Sequence, residues 1–171
     1  MASVLDKIAF YRNRRDEVPN QELARDLATS GDRAGIQVIA DNLSNKNKSV
    51  RSDCLKVLYE LGYINPDLIA DHVGRLLALL NSKDNRMVWG VRTLARVAAA
   101  EAEYRRKLFP VLLRQLQTCI PRDLPTHAES ILPAVDAGNK QELLALLQAR
   151  QGELSASQAS RLRNVTKSLV P

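Results

Sequence analysis

The sequence predicts an all-helical protein built from repeated pairs of helices, and three observations lead to this prediction. The chain of 171 residues is 45% hydrophobic but only 4% aromatic, a composition that favours helices over strands. Apolar residues recur at spacings of three and four, which is the period of an amphipathic helix. The same apolar pattern returns after about 37 positions, a length typical of two-helix repeats. Length and repeat together predict a single domain over residues 1–171.

The predicted helices form five pairs. In chain order they cover 3–14, 20–29, 33–43, 49–61, 66–80, 86–100, 103–117, 124–135, 140–149 and 157–169. Three core repeats are predicted to occupy 32–138. The terminal pairs, at 1–31 and 139–171, follow the period only loosely, and we expect them to be the capping units that repeat proteins carry at their ends.

The turn near residue 64 shows how helix ends are predicted. Gly62 is expected to end one helix, because glycine tolerates the left-handed conformation at a helix C-terminus. Asn65 is a good N-cap, Pro66 suits the first helical position, and Asp67 complements the positive end of the helix dipole. The next helix is therefore predicted to begin at this point.

The register of the repeats follows from apolar residues that coincide when the sequence is shifted. Val57, Leu94 and Ile131 coincide at successive shifts of about 37 positions. Leu80 and Leu116 coincide at about 36 positions, so the third unit carries one extra residue within "QTCIPRD". A single pair of helices cannot bury its apolar side alone, so neighbouring pairs are expected to cover one another.

One unit resembles the HEAT repeats, in which a leucine and a polar loop precede a Val-Arg pair and then small and apolar residues. The matching positions are Leu43, Asn45, Asn47, Val50, Arg51, Cys54, Val57 and Leu58. The resemblance extends over about 36 to 135, with Val88 and then Pro125 at the arginine position, and armadillo-like solenoids share this degenerate pattern. It implies a right-handed alpha-alpha superhelix, a HEAT-like solenoid with about five helix pairs that binds other molecules along a concave face. The family names no ligand.

Arg51 has two interpretations at this stage. It is the arginine of the HEAT-like pattern, and it follows a polar loop directly. One interpretation is a bridge to an acidic or amide group in the loop of an adjacent unit. The other is an ordinary solvated arginine at the start of a helix.

The predicted binding surface is the face of the second helices that points away from the core. Six residues from two units are predicted to form a partner-binding groove: Ser52, Lys56, Tyr59, Trp89, Arg92 and Arg96. One tryptophan and two arginines on an exposed ridge match the composition of binding hot spots. The alternatives are partial burial of Trp89 against a loop or the neighbouring unit and, for the cations, an ordinary solvated helix face. The predicted function is a non-catalytic scaffold or adaptor for a protein or peptide partner.

Charge supports a second function, binding of nucleic acid or another polyanion. The formal net charge is +6, and residues 64–121 carry nine Lys and Arg against five Asp and Glu. The densest basic runs are "RNRR" at 12–15 and "YRRK" at 104–107. Solvated helix ends are the alternative for these runs, since cations also favour helix C-termini.

No enzyme, cofactor or metal site is predicted. The two histidines, His72 and His127, lie in no metal-ligand spacing with Cys, Asp or Glu, and both are expected to be structural or exposed. The glycines form neither a phosphate-cradling loop nor a nucleophile elbow.

The chain is also expected to be cytoplasmic. Charged residues interrupt the N-terminal stretch, so no signal peptide is predicted. No run approaches the roughly 20 apolar residues of a membrane helix. Cys54 and Cys119 stand far apart and are expected to be buried free thiols, with a disulfide or redox pair as the alternative.

Overall fold

The computed structural model describes residues 2–80 and 87–170, apart from the side chains at positions 80, 87 and 88. Every regular element in this part of the chain is helical, which confirms the predicted all-helical class. Nine α-helices lie within it: α1 Val18–Ser30, α2 Arg33–Asp41, α3 Lys48–Ile64, α4 Val73–Leu80, α5 Met87–Ala100, α6 Ala102–Thr118, α7 Leu124–Ile131, α8 Lys140–Arg150 and α9 Ala156–Leu169. The side chains of Leu80, Met87 and Val88, which were predicted to occupy repeat positions, lie outside the described residues. The predicted loop at 81–85 and the predicted helix start at residue 86 lie outside them too.

Several helices begin where a polar side chain caps the first turn. Asn47 accepts hydrogen bonds from the backbone N–H groups of Ser49 (2.9 Å) and Val50 (3.4 Å) at the start of α3. At the start of α2, the Asp32 side chain accepts a hydrogen bond from the backbone N–H of Gly35. At the start of α9, Ser155 forms a capping box with Gln158. These caps supply acceptors for amide groups that lack a partner inside the helix.

The predicted N-terminal helix at 3–14 is wrong. A 3-10 turn over Val4–Lys7 is followed by irregular turns, with Asn13 in the left-handed region at φ 55°. The reason is a competing set of hydrogen bonds: Ala9 N–H donates to Asn20 (3.0 Å) and Phe10 N–H donates to Asp53 (2.8 Å). Side chains of α1 and α3 therefore bind this segment in place of its own helical partners.

Gly62 does not end α3, contrary to the prediction. The helix continues to Ile64, and Gly62 is buried inside it. A Cβ atom at Gly62 would lie only 2.9 Å from Cδ1 of Ile69, so the glycine leaves room for Ile69 to pack against α3, whereas Cβ of Arg96 on α5 would be at an ordinary contact distance of 3.5 Å. Asn65 does act as a cap, but two 3-10 turns, Pro66–Leu68 and Ala70–His72, precede α4.

The odd-numbered helices form a continuous row in which α1 packs on α3, α3 on α5, α5 on α7 and α7 on α9. The others lie beside this row: α2 against α3, α4 and α6 against α5, and α8 against α9. Val57, Leu94 and Ile131, the positions predicted to be equivalent, are all fully buried and belong to one hydrophobic core. This packing places one face of α3 next to one face of α5.

Arg51 contacts the loop that precedes its own helix. Its guanidinium donates to the carbonyl oxygens of Asn45 (2.6 Å) and Lys46 (3.3 Å). The side chain is half-buried, so it helps to hold the polar loop against the start of α3.

The two cysteines are free and differ in exposure. Cys54 is fully buried, and burial raises the pKa of its thiol to about 12. Cys119 is half-buried; burial also raises its pKa, while Arg150 opposes the shift. The thiol group of Cys54 therefore has little thiolate at neutral pH.

We expect alkylation to separate the two thiols. In the native protein near pH 8, iodoacetamide should modify Cys119 first, whereas Cys54 should react on the order of 10³-fold more slowly than an ordinary thiol. Mass spectrometry of a time course measures this. The matched variants are Cys54→Ala, which should keep the fast reaction, and Cys119→Ser, which should react only after denaturation. Rapid native labelling of Cys54 would contradict its burial.

Candidate partner-binding surface

The adjoining faces of α3 and α5 form a surface that we call the α3/α5 face, defined by the residues that follow. They are Ser52, Lys56, Tyr59 and Tyr63 on α3 and Trp89, Arg92 and Arg96 on α5. Spacings of three and four place each set on one side of its helix. On α5 this side lies away from the buried positions Val91, Leu94 and Ala98.

Aromatic rings connect the two helices. The rings of Tyr59 and Trp89 pack edge to face, with their centroids 5.1 Å apart. The rings of Tyr59 and Tyr63 also pack edge to face, with their centroids 5.7 Å apart. Trp89 is half-buried and packs on the core, so the partial burial that was one interpretation of this residue is present. Tyr63 is 56% exposed and leaves part of the cluster open to solvent.

Three cations lie over these rings. Lys56 Nζ is 5.8 Å and Arg92 Cζ is 5.2 Å from the centroid of Trp89. Arg96 Cζ is 3.7 Å from the centroid of Tyr63. All three cations are half-buried rather than extended into solvent. These distances are typical of cation–π contacts, so the predicted cations are part of the aromatic cluster.

The cluster is flanked by two ion pairs. Lys56 Nζ lies 2.9 Å from a carboxylate oxygen of Glu17, and Arg161 contacts both carboxylate oxygens of Glu129 at 2.6 Å. Arg92 donates through Nε to the Ser130 hydroxyl at 3.2 Å. Within residues 2–80 and 87–170, neither Arg92 nor Arg96 has a carboxylate at ion-pair distance.

Ser52 lies apart from the aromatic cluster. It lines a cavity of about 390 Å³ near the start of α3, together with Phe10, Arg14, Arg15 and Asp53. The structure thus brings together five of the six residues predicted from the sequence. It adds Tyr63 and Glu17, which sequence reasoning missed. The position of Tyr63, four residues after Tyr59 on one helix, was the available signal.

The titratable groups near the α3/α5 face respond mainly to burial. Burial raises the pKa of Tyr59, and the nearby guanidinium groups of Arg92 and Arg96 oppose this shift. His127 is buried, its Nδ1 has no hydrogen-bond partner among the described residues, and burial lowers its pKa. His72 lies elsewhere, near Asp71 and Arg75, and burial lowers its pKa as well.

The basic runs are largely engaged in ion pairs. Arg12 Nη1 lies 3.6 Å from a carboxylate oxygen of Glu22, and Arg14 Nη2 lies 2.9 Å from a carboxylate oxygen of Asp16. The run "RNRR" is in a turn, whereas the predicted helix over 3–14 would have placed it at a helix end. In "YRRK", Arg105 binds Asp136 (3.0 Å) and Lys107 binds Glu103 (2.9 Å). Much of the positive charge in these runs is therefore balanced locally.

Within the described ranges no group of three or more Cys, His, Asp and Glu side chains is arranged to hold a metal ion. Those same ranges contain no helix with the length and apolar character needed to cross a membrane. Fold and surface together define an all-helical protein with an aromatic and cationic face between two central helices. Comparison of the chain with protein-family models, with curated proteins and with solved structures gives no match.

Proposed function

We propose that the protein is a non-catalytic scaffold or adaptor that binds a protein or peptide partner across the α3/α5 face. We further propose that its helix pairs form a right-handed, HEAT-like solenoid with this face on the concave side. The successive packing of α1, α3, α5, α7 and α9 supports such an array. The observation that carries the binding proposal is the contact between Tyr59 and Trp89 with cations over the tryptophan ring.

The composition of this cluster suits protein recognition. Trp, Tyr and Arg are the residues most enriched at interface hot spots, where a few large side chains supply most of the binding energy. Here these side chains contact one another before any partner arrives. Their ordering reduces the entropy that a partner must overcome on binding. No nucleophile or general base is needed for this role.

A second candidate is binding of a polyanion such as nucleic acid. It is favoured by Arg92 and Arg96, which have no carboxylate partner among the described residues, and by the net charge of +6. The ion pairs in both basic runs weigh against it. Phosphate binding should weaken steeply with added salt, which a filter-binding titration measures.

Site-specific photocrosslinking tests the proposed face in living cells. A benzophenone amino acid at Tyr63, which is 56% exposed, should crosslink to one recurrent partner. Incorporation at Val38, 36% exposed on α2, is the matched control and should not capture this partner. The double variant Trp89→Ala with Arg96→Glu should reduce the crosslink at least about tenfold, because it removes two hot-spot contacts.

A folding control accompanies this experiment. The double variant should keep its helical circular dichroism, since Trp89 and Arg96 are only half-buried. Equal crosslinking from Val38 and Tyr63, or a crosslink unchanged in a folded double variant, would show that the binding surface lies elsewhere.

A further inference from the structure

Two carboxylates that border the α3/α5 face are already paired with cations of the protein itself. Glu17 pairs with Lys56 at 2.9 Å on the side of α1, and Glu129 pairs with Arg161 at 2.6 Å on the side of α7. Glu60 lies near Gln21 and Arg25 of α1. The residues that define the α3/α5 face include no carboxylate, and among the described residues no ion pair neutralises Arg92 or Arg96, so the charge of this face is positive.

The two arginines are held in place by groups that do not neutralise them. Arg92 lies over Trp89 and donates Nε–H to the Ser130 hydroxyl, which in turn donates to the Thr126 carbonyl at 2.6 Å. Arg96 lies over the ring of Tyr63, with its Cζ atom 3.7 Å from the ring centroid. A guanidinium fixed in this way retains N–H groups that can bind a carboxylate through two parallel hydrogen bonds.

A cationic partner is disfavoured by the same arrangement. The rings of Trp89 and Tyr63, which could attract a lysine or arginine from a partner, already have the protein's own cations over them. An incoming cation would meet Arg92 and Arg96 at close range, and like charges in an interface are costly.

We infer that the partner presents an acidic peptide segment whose carboxylates bind Arg92 and Arg96 while an apolar side chain packs on Tyr63. This inference rests on the proposed function and names the class of partner. The arginines are four residues apart on α5, about 6 Å along the helix axis. Carboxylates one helical turn apart, or two residues apart on an extended strand, have a similar spacing.

A peptide fits this face better than a nucleic acid does. A phosphate backbone carries charge continuously and requires a continuous positive band. The α3/α5 face instead offers two cations between two ion pairs without net charge, Lys56 with Glu17 and Arg161 with Glu129. A short acidic segment needs only these two cations.

Selection from a random-peptide display library on the purified full chain tests the inference. Selected peptides should be enriched in pairs of Asp or Glu, and binding of a labelled synthetic copy is measured by fluorescence anisotropy. Its glutamine-substituted counterpart, and the variant Arg92→Glu with Arg96→Glu, should each weaken binding at least about tenfold. The matched control is Arg163→Glu with Lys167→Glu, which makes the same charge change at the same spacing on α9 and should leave binding unchanged.

The outcomes separate the partner class from the binding face. Peptides that lack acidic enrichment, yet lose binding when Trp89 is replaced by alanine, would overturn the acidic class and leave the proposed face intact. Peptide binding that no variant of the face alters would overturn both. An oligodeoxythymidine that binds through Arg92 and Arg96 more tightly than the acidic peptides would assign the surface to nucleic acid and overturn the inference. Circular dichroism melts confirm that each variant is folded.

Discussion

Replacing Leu94 by alanine is expected to lower the free energy of unfolding by about 2–5 kcal/mol. Leu94 has no exposed surface and lies on α5, the helix that packs against α3, α4, α6 and α7. The change removes buried methyl groups and leaves a cavity that these four helices cannot all move to fill. Urea denaturation followed by circular dichroism measures the loss.

Ile64→Ala is the control for this substitution. Ile64 is 49% exposed at the end of α3, so its truncation should change stability by less than about 0.5 kcal/mol. A loss below about 1 kcal/mol for Leu94→Ala would contradict the central packing position assigned to α5.

Replacing Asn20 by aspartate should cost about 3 kcal/mol or more at neutral pH, although the two side chains have nearly the same shape. Asn20 is buried; it accepts a hydrogen bond from Ala9 N–H (3.0 Å) and donates one to Asp53 (3.0 Å). Asp53 also accepts from Phe10 N–H at 2.8 Å. The substitution removes the donor and brings two carboxylates together in a partly buried site.

The destabilisation from Asn20→Asp should depend on pH in a defined direction. Proximity to Asp53 would raise the pKa of the introduced carboxyl above its value in the unfolded chain. A raised pKa means that the unfavourable charge is present at neutral pH and disappears as the group is protonated. Stability relative to the native chain should therefore recover as the pH falls toward about 4.

Exchanging the two residues provides a rescue. In the double variant Asn20→Asp with Asp53→Asn, the amide at position 53 can accept from Phe10 and donate to position 20, while position 20 still accepts from Ala9. Most of the lost stability should return at neutral pH. If the double variant is no more stable than the single one, the network does not hold the N-terminal segment as described.

Sequence patterns predicted which positions are buried more accurately than they predicted the backbone conformation at helix ends. Val57, Leu94 and Ile131 were identified by periodicity because burial on a helix depends on local spacing. The segment at 3–14 was mispredicted because its backbone amides bind side chains that lie up to 43 residues away in sequence. Gly62 was mispredicted because a tight contact, here with Ile69, and a helix end both select glycine, and the sequence alone does not separate them.

The sequence predicted most of the residues that form the candidate site, but not which of them contact one another. Helical spacing placed Tyr59 on one face of α3 and Trp89, Arg92 and Arg96 on one face of α5. The stacking of Arg96 on Tyr63 depends on how far α3 and α5 slide past each other, which no local pattern encodes. The ion pair between Glu17 and Lys56 likewise joins different helices and follows from packing alone.

The successive packing of the odd-numbered helices has a consequence for how the chain folds. Among the described residues, the side-chain hydrogen bonds that join distant segments span 31 to 43 residues, whether they lie near the N-terminus or near the C-terminus. The entropy lost in closing each such loop is therefore set by this separation and does not grow with the total number of helices. Contact order relative to length falls as such an array becomes longer, so additional helix pairs need not slow the formation of the native state.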